Sequence, residues 1–264
     1  MEPTEPRLLG KTNVSVTALG LGGAPLGGLF TAVRDDEAHR VIRRAFDLGL
    51  RLFDTAPQYG HGRSESRFGQ VLGRLPREQF TLATKIGRLL RPDGPPVASS
   101  NWVDPPPVNP VYDFSYEGAL RSHEESLARL GLEQVDIVHI HDPDADPTVP
   151  PERHFRTAVE GAFRALERLR RQGTIGAIGA GMNQAEMLAR FARAADFDCF
   201  LLAGRYTLLD QVALRELLPL CVERKIAIII GGVYNSGILA NPETGATLQL
   251  LTWLDFEGAA VAPL

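Results

Sequence analysis

LRLFDTAPQYG (residues 50–60), FTLATKIG (80–87) and VDIVHIHDPD (135–144) share one design: an apolar run of strand length that ends in an ionisable side chain. Such runs suit strands buried on both faces, as in a parallel sheet covered by helices. Working outward, residues 34–49 (RDDEAHRVIRRAFDLG) read as a helix opened by acids, which favour its positive end, and closed by Gly49. Helical periodicity returns over residues 65–75, over 116–131 ending at Gly131, over 155–173 ending at Gly173, and over 184–195 and 213–225. Further strands are expected over 174–182, 197–206 and 226–234, and residues 8–23 read as a short hairpin running into a first strand. Repeated strand–helix units imply a parallel sheet wrapped in helices. A doubly wound sheet would gather its functional residues at one switch point. Here they stand at the C-terminal ends of several strands, as barrel sites do. The expected fold is α/β, a (β/α)8 TIM-type barrel with an N-terminal β-hairpin, formed as a single domain over residues 1–264.

Two segments break the pattern. Residues 91–115 form a proline-rich stretch after the third strand, longer than a plain connector and expected to act as a lid or binding loop, with Trp102, Tyr112 and Phe114 as its apolar contacts. Residues 238–264 hold room for one more helix but not for a strand and a helix, so the eighth unit is expected to be incomplete. The first and seventh strands would then have open edges, which predicts a weakly stable monomer or an oligomer that covers the barrel gap.

Composition narrows the function classes. A formal net charge of -4 and interleaved acids and arginines give no basic surface for nucleic acid or anionic membrane. Cys199 and Cys221 sit in apolar contexts with no CxxC pair, which fits buried thiols and a reducing compartment. MEPTEPR has no apolar core of a secretory signal, and the apolar run at IAIIIGGV is too short to span a bilayer. A cytoplasmic protein is expected.

Asp54, Tyr59, Lys85 and His141 carry the chemistry. A free phenol, with a pKa near 10, is too weak an acid for proton transfer near neutrality. A neighbouring lysine ammonium lowers that pKa, and Lys85 needs an anion, Asp54, to stay charged and oriented. His141 is placed to hydrogen-bond a carbonyl oxygen. The set suits proton donation to a carbonyl, or proton removal from a hydroxyl in reverse. HIHDPD offers a rival reading, because His139 and His141 share a strand face as metal ligands do, but the other histidines fall in helices or loops. LGLGGAPLGG lacks the full dinucleotide fingerprint; Gly22 and Gly23 would let a flat ligand approach the backbone.

In FDTAPQYG with SESRFGQVLG, in ATKIG, in RLGLEQVDIVHIHDPD, in GAGMNQ and in RYTLLDQ, the chain resembles the aldo-keto reductases up to about Gly237. APLGGLF and several of these motifs look most like the branch of sugar and pyridoxal dehydrogenases. The resemblance implies an NAD(P)H cofactor and a small carbonyl or sugar substrate, with hydride passing between nicotinamide and carbonyl or alcohol, for an aldose giving a lactone. It makes Tyr59 the acid–base residue, Lys85 and Asp54 its tuners and His141 the carbonyl-orienting group. Gly22, Gly23, Ala24, Asp54, Asn183 and Tyr234 would lie along the cofactor, and Trp102, Tyr59 and His141 along the substrate. The family's usual carboxamide-binding glutamine is replaced by Ala203 or Gly204, and strand seven offers glycines with Tyr234 nearby where an aromatic commonly stacks. The family's last unit grips the cofactor's pyrophosphate and adenosine end, so NAD and NADP are not distinguished, and a non-catalytic binding or regulatory role on the same scaffold is the alternative.

Overall fold

A computed structural model describes residues 2–95 and 101–235. Residues 236–264, including the expected atypical tail and eighth unit, lie outside the described residues. Strands β1 (Pro6–Leu8) and β2 (Ser15–Thr17) pair as the expected antiparallel hairpin. The main sheet is parallel and takes its strands in chain order: β3 (Gly20–Gly22), β4 (Leu52–Asp54), β5 (Thr81–Ile86), β8 (Ile137–His141), β9 (Ala177–Met182), β10 (Cys199–Ala203) and β11 (Ala227–Gly231). Helices α1 (Asp35–Asp47), α2 (Arg63–Leu72), α3 (Tyr116–Leu130), α4 (Pro151–Thr157), α5 (Phe163–Arg171), α6 (Ala185–Ala194) and α7 (Leu217–Arg224) lie between successive strands. This is the TIM-type barrel plan, with seven strands described.

Strand alternation sorts the apolar residues into two cores. Outward residues Phe53, Leu82, Val138, Ile178 and Phe200 pack against the helices, whose own stripes follow helical spacing, as Ala38, Ile42, Ala45 and Phe46 do in α1. Full burial of a side chain such as Phe53 contributes about 1.5–3 kcal/mol. Inward residues Leu52, Ala83, Ile137, Ala177 and Cys199 form a second cluster with Leu9, Val14 and Val16 of the hairpin. The hairpin is therefore a plug at the N-terminal end of the barrel. Gly10, at φ +58, lets its turn press against the Asp198 and Lys225 carbonyls, where a side chain would collide.

The helix stops expected from Gly49, Gly131 and Gly173 are present, all at positive φ. Three expectations change. Helix 155–173 instead starts at Pro151, where a missing N–H costs nothing, and passes through a π-helical stretch at Ala158–Ala162. That stretch brings Gly161 against the backbone of Phe114, Ser115 and Tyr116, with Ala162 N donating to Phe114 O at 3.0 Å. Helix 213–225 starts only at Leu217, because Pro219 is tolerated in a first turn and not deeper. The long connection 91–115 is not a plain loop: β6 (Arg88–Arg91) and β7 (Asn109–Tyr112) pair antiparallel and raise an arm from the end of β5. Among the described residues no helix is long and apolar enough to cross a membrane.

Helices α2 and α3 meet at Gly69, where a methyl group would run into the Leu130 carbonyl. Gly69→Ala is expected to destabilise the protein by about 1–3 kcal/mol through overpacking. A urea midpoint equal to that of the parent would contradict this close approach.

Candidate active site

Three inward layers climb the barrel from the plug. Above Leu52 come Asp54 with Ala83 and Ile137, then Lys85 with His139, then His141 with Gly181 near the rim. Lys85 is 1% exposed. Its Nζ donates to Asp54 Oδ1 at 2.8 Å, to Asp54 Oδ2 at 2.7 Å and to the Thr55 carbonyl at 2.8 Å. Burial works against the ammonium, yet the charge of Asp54, with Tyr59 and the hydrogen bonds, holds the Lys85 pKa above its ordinary value. Burial raises the Asp54 carboxyl and Lys85 pulls it back.

Tyr59 stands on the turn after β4, with Lys85 Nζ 4.8 Å from its ring centre. Its ring meets the His141 imidazole edge-to-face at 5.7 Å and the Trp102 indole at 5.9 Å. The structure thus brings Asp54, Tyr59, Lys85, His141 and Trp102 to one rim. It also corrects the expected tuning of the phenol. Burial raises the Tyr59 pKa; the Lys85 ammonium opposes this, but Asp54 and Asp142 cancel part of its field. A lysine that needs a carboxylate partner cannot give its whole charge to a neighbour.

His141 is held well below the usual histidine pKa, first by burial and then by Arg88, Lys85 and His139. It is a neutral imidazole at physiological pH, with one donor and one acceptor nitrogen. Its Nε2 lies 3.3 Å from Asp142 Oδ2. His139 faces inward as expected, one layer deeper, with Nε2 3.7 Å from Cys199 Sγ and its ring against Gly179, where a methyl would strike it. Burial first, then Lys85, lowers its pKa to about 3. Among the described residues no group of three or more His, Cys, Asp or Glu side chains could hold a metal ion, so the His-x-His reading gains no further ligand. His139 is a wall of the barrel interior.

The glycine-rich segment divides by role. Gly23 is buried, and a side chain there would meet Phe68, Ser64 and the Asp54 carbonyl, so its bareness serves packing. Gly27 packs on Gly60 and on the backbone of Tyr59, which fixes the turn that carries the phenol. Gly22 is exposed with open space beside it, and Ala24 is half-buried. Asn183, just beyond β9, donates from Nδ2 to the Ala203 carbonyl at 3.0 Å, an anchor that turns its amide along the rim. Tyr234 is 62% exposed beyond β11. Open backbone at Gly22 and an anchored amide at Asn183 fit the reactive end of a nicotinamide.

SESRFG has a positioning role that the sequence did not reveal. Ser64 Oγ donates to Gly23 O at 2.9 Å and accepts from Thr55 Oγ1 at 2.8 Å. Glu65, fully buried, accepts from Thr84 Oγ1 at 2.7 Å and Arg129 Nε at 2.5 Å. Arg67 bonds Asp35 and the carbonyls of Leu26 and Val33. One helix start therefore ties the ends of β4 and β5 to the 23–33 loop. The Trp102 segment is strapped across the mouth: Phe30 N donates to Asn101 O at 2.7 Å, Val103 N to Gly28 O at 2.9 Å, and Arg63 Nη1 to Val103 O at 2.9 Å. Tyr112 makes tilted ring contacts with Phe114 and His154, and Phe114, buried in the outer core, meets His154 edge-to-face.

A family model described as the aldo/keto reductase family matches residues 18–247. The chain belongs to the aldo/keto reductase family. It is 42% identical over 260 residues to pyridoxal 4-dehydrogenase of Microbacterium luteolum, covering 93% of this chain and 75% of that protein. It is also 42% identical over 249 residues to D-threo-aldose 1-dehydrogenase of a Pseudomonas species, covering 92% and 73%. Among solved structures, the glycerol dehydrogenase of Gluconobacter oxydans superimposes with a TM-score of 0.70 at 25% identity, covering 92% of this chain and 68% of that one. This aldo/keto reductase is an NAD(P)-dependent oxidoreductase that works on carbonyls and alcohols.

Two measurements test the electrostatics. Lys85→Met leaves Asp54 buried and unpaired, and should cost about 3–5 kcal/mol in urea unfolding; a loss below about 1 kcal/mol would contradict the pairing. His139 has a folded pKa depressed below its unfolded value, so its neutral form contributes stability that is present above pH 6.5 and lost as pH falls toward about 3. That loss should run at about 1.4 kcal/mol per pH unit, and His139→Gln should flatten the slope by about one proton. Parallel slopes for the two proteins would show that His139 is not held neutral.

Proposed function

We propose that this reductase oxidises the anomeric C1 hydroxyl of an aldose to a lactone, and that in the reductive direction the same site converts an aldehyde to its alcohol. The observation that carries the reading is the convergence of Tyr59, Lys85, Asp54 and His141 on one rim, in a chain similar to an aldose and a pyridoxal dehydrogenase. Bound NAD(P) supplies the hydride acceptor or donor. Gly22, Gly23, Ala24, Asp54, Asn183 and Tyr234 are assigned to hold it; Gly22 through its bare backbone, Asn183 through its amide, and Gly23 by letting that turn pack.

The substrate oxygen would sit between the Tyr59 hydroxyl and the His141 imidazole. His141, neutral, donates one hydrogen bond and fixes the lone pairs of that oxygen. In reduction the Tyr59 O–H proton passes to the oxygen as hydride arrives at carbon, and the C=O π pair becomes the new O–H bond. In oxidation the proton returns to Tyr59 and the O–H pair becomes the second C=O bond. Lys85 stabilises whichever form of Tyr59 is anionic, and Asp54 keeps Lys85 charged. Trp102, strapped over the mouth, covers the ring or chain of the substrate and helps to exclude water.

A Tyr59 pKa above the usual phenol value favours the protonated acid at neutral pH. Reduction should be nearly flat from pH 6 to 8, while oxidation of L-fucose or a related aldose should climb toward pH 10, because the base form grows with pH. Tyr59→Phe should lower kcat by about 10²–10⁴-fold with cofactor binding retained, as read by NADH and NADPH fluorescence titration. Folded protein that binds cofactor but turns over no aldose, aldehyde or pyridoxal would overturn the proposal.

A further inference from the structure

The motif after His141 carries a second charge pair that the proton-transfer set leaves unused. Asp142 has φ 41, a left-handed backbone that few residues besides Gly, Asn and Asp adopt readily. Its N–H is anchored on Gly181 O at 3.0 Å. This backward turn returns the carboxylate over the rim, so that Oδ2 faces His141 Nε2 at 3.3 Å. Arg88, at the foot of the β6–β7 arm, meets the same oxygen from Nη2 at 2.8 Å. The guanidinium is 6% exposed, lies 5.1 Å over the Tyr112 ring, and keeps a buried Nε with no hydrogen-bond partner among the described residues. Its place is set by packing, unlike that of a solvated surface pair.

Both contacts of the carboxylate fall on Oδ2; among the described residues Oδ1 makes no hydrogen bond. A substrate oxygen held by His141 Nε2 would lie beside this carboxylate. On a substrate so held, a hydroxyl on the carbon next to the reacting carbon is the group that would reach Oδ1. A carboxylate accepts from a hydroxyl and repels a bare electron-rich oxygen; burial raises the Asp142 pKa, and the Arg88 guanidinium opposes that rise and aims the group. We infer that Asp142, positioned by Arg88, reads that neighbouring hydroxyl and selects hydroxy-aldehydes and aldoses over plain aldehydes. The inference rests on the oxidoreductase reading above and narrows its substrate class.

The test compares 2-hydroxypropanal with propanal, which differ by that hydroxyl alone, using holoenzyme in parent and Asp142→Asn forms. Asparagine tolerates the left-handed backbone, so the variant keeps the turn; thermal melts check that it folds, and Asp142→Glu serves as a charge-retaining second variant. The parent should prefer 2-hydroxypropanal in kcat/KM by about 10- to 100-fold, the range of one charge-assisted hydrogen bond. Asp142→Asn should bring that ratio to within about twofold of unity, mainly through KM, with Asp142→Glu recovering part of it. Equal loss on both aldehydes would place Asp142 behind His141 only and overturn the inference, as would a parent that shows no preference. A parent that turns over neither aldehyde nor any aldose would remove the oxidoreductase reading and this one with it.

Discussion

The organising constraint is a lysine ammonium in the barrel interior. A charge taken from water costs several kcal/mol unless partners replace the water around it. Lys85 meets the condition with a carboxylate from the adjacent strand and the carbonyl that follows it. The parallel register sets this up: Asp54 stands opposite Ala83, so Lys85, two residues on, rises directly above. Once that pair is in place, its field reaches outward. It adds to burial in keeping His139 neutral, and to burial and Arg88 in keeping His141 neutral, and its carboxylate limits what Tyr59 gains from having a cation beside it.

The supporting structure is asymmetric from one end of the barrel to the other. The base is apolar, sealed by Leu9, Val14 and Val16 of the hairpin. The mouth is held instead by directional bonds from Ser64, Glu65, Arg63 and Arg67 to backbone and side chains of neighbouring units. Apolar packing tolerates small slips, whereas hydrogen bonds to the strand ends fix positions and angles. The geometry that chemistry needs is thus concentrated where the functional side chains emerge.

Much of this was legible in the chain. Apolar strand runs, helix stops at glycine and reactive residues at strand ends predict the barrel and the convergence of Asp54, Tyr59, Lys85 and His141. What escaped the sequence depends on contacts between distant segments. The role of Glu65 requires knowing that Thr84 and Arg129 surround it, and Gly23 reads as an opening until Phe68 is seen against it. The arm at 88–112 is masked by its prolines, because Pro110 lies in a short strand on an isolated pair that no propensity rule favours. The upward shift of Tyr59 is not legible in the chain because it comes first from burial, and because Asp54, besides orienting the lysine, is a charge that offsets part of the lysine's field.

The hydrogen bonds of Lys85 carry one more chemical implication. A primary amine beside a bound aldehyde ordinarily condenses with it to an imine, through the nitrogen lone pair. Here the three protons of Nζ are committed to Asp54 and to the Thr55 carbonyl, and the pKa lies above its ordinary value. The lone pair stays occupied throughout the working pH range. The lysine nearest the proposed carbonyl site is therefore held back from imine formation by the same bonds that place the charge.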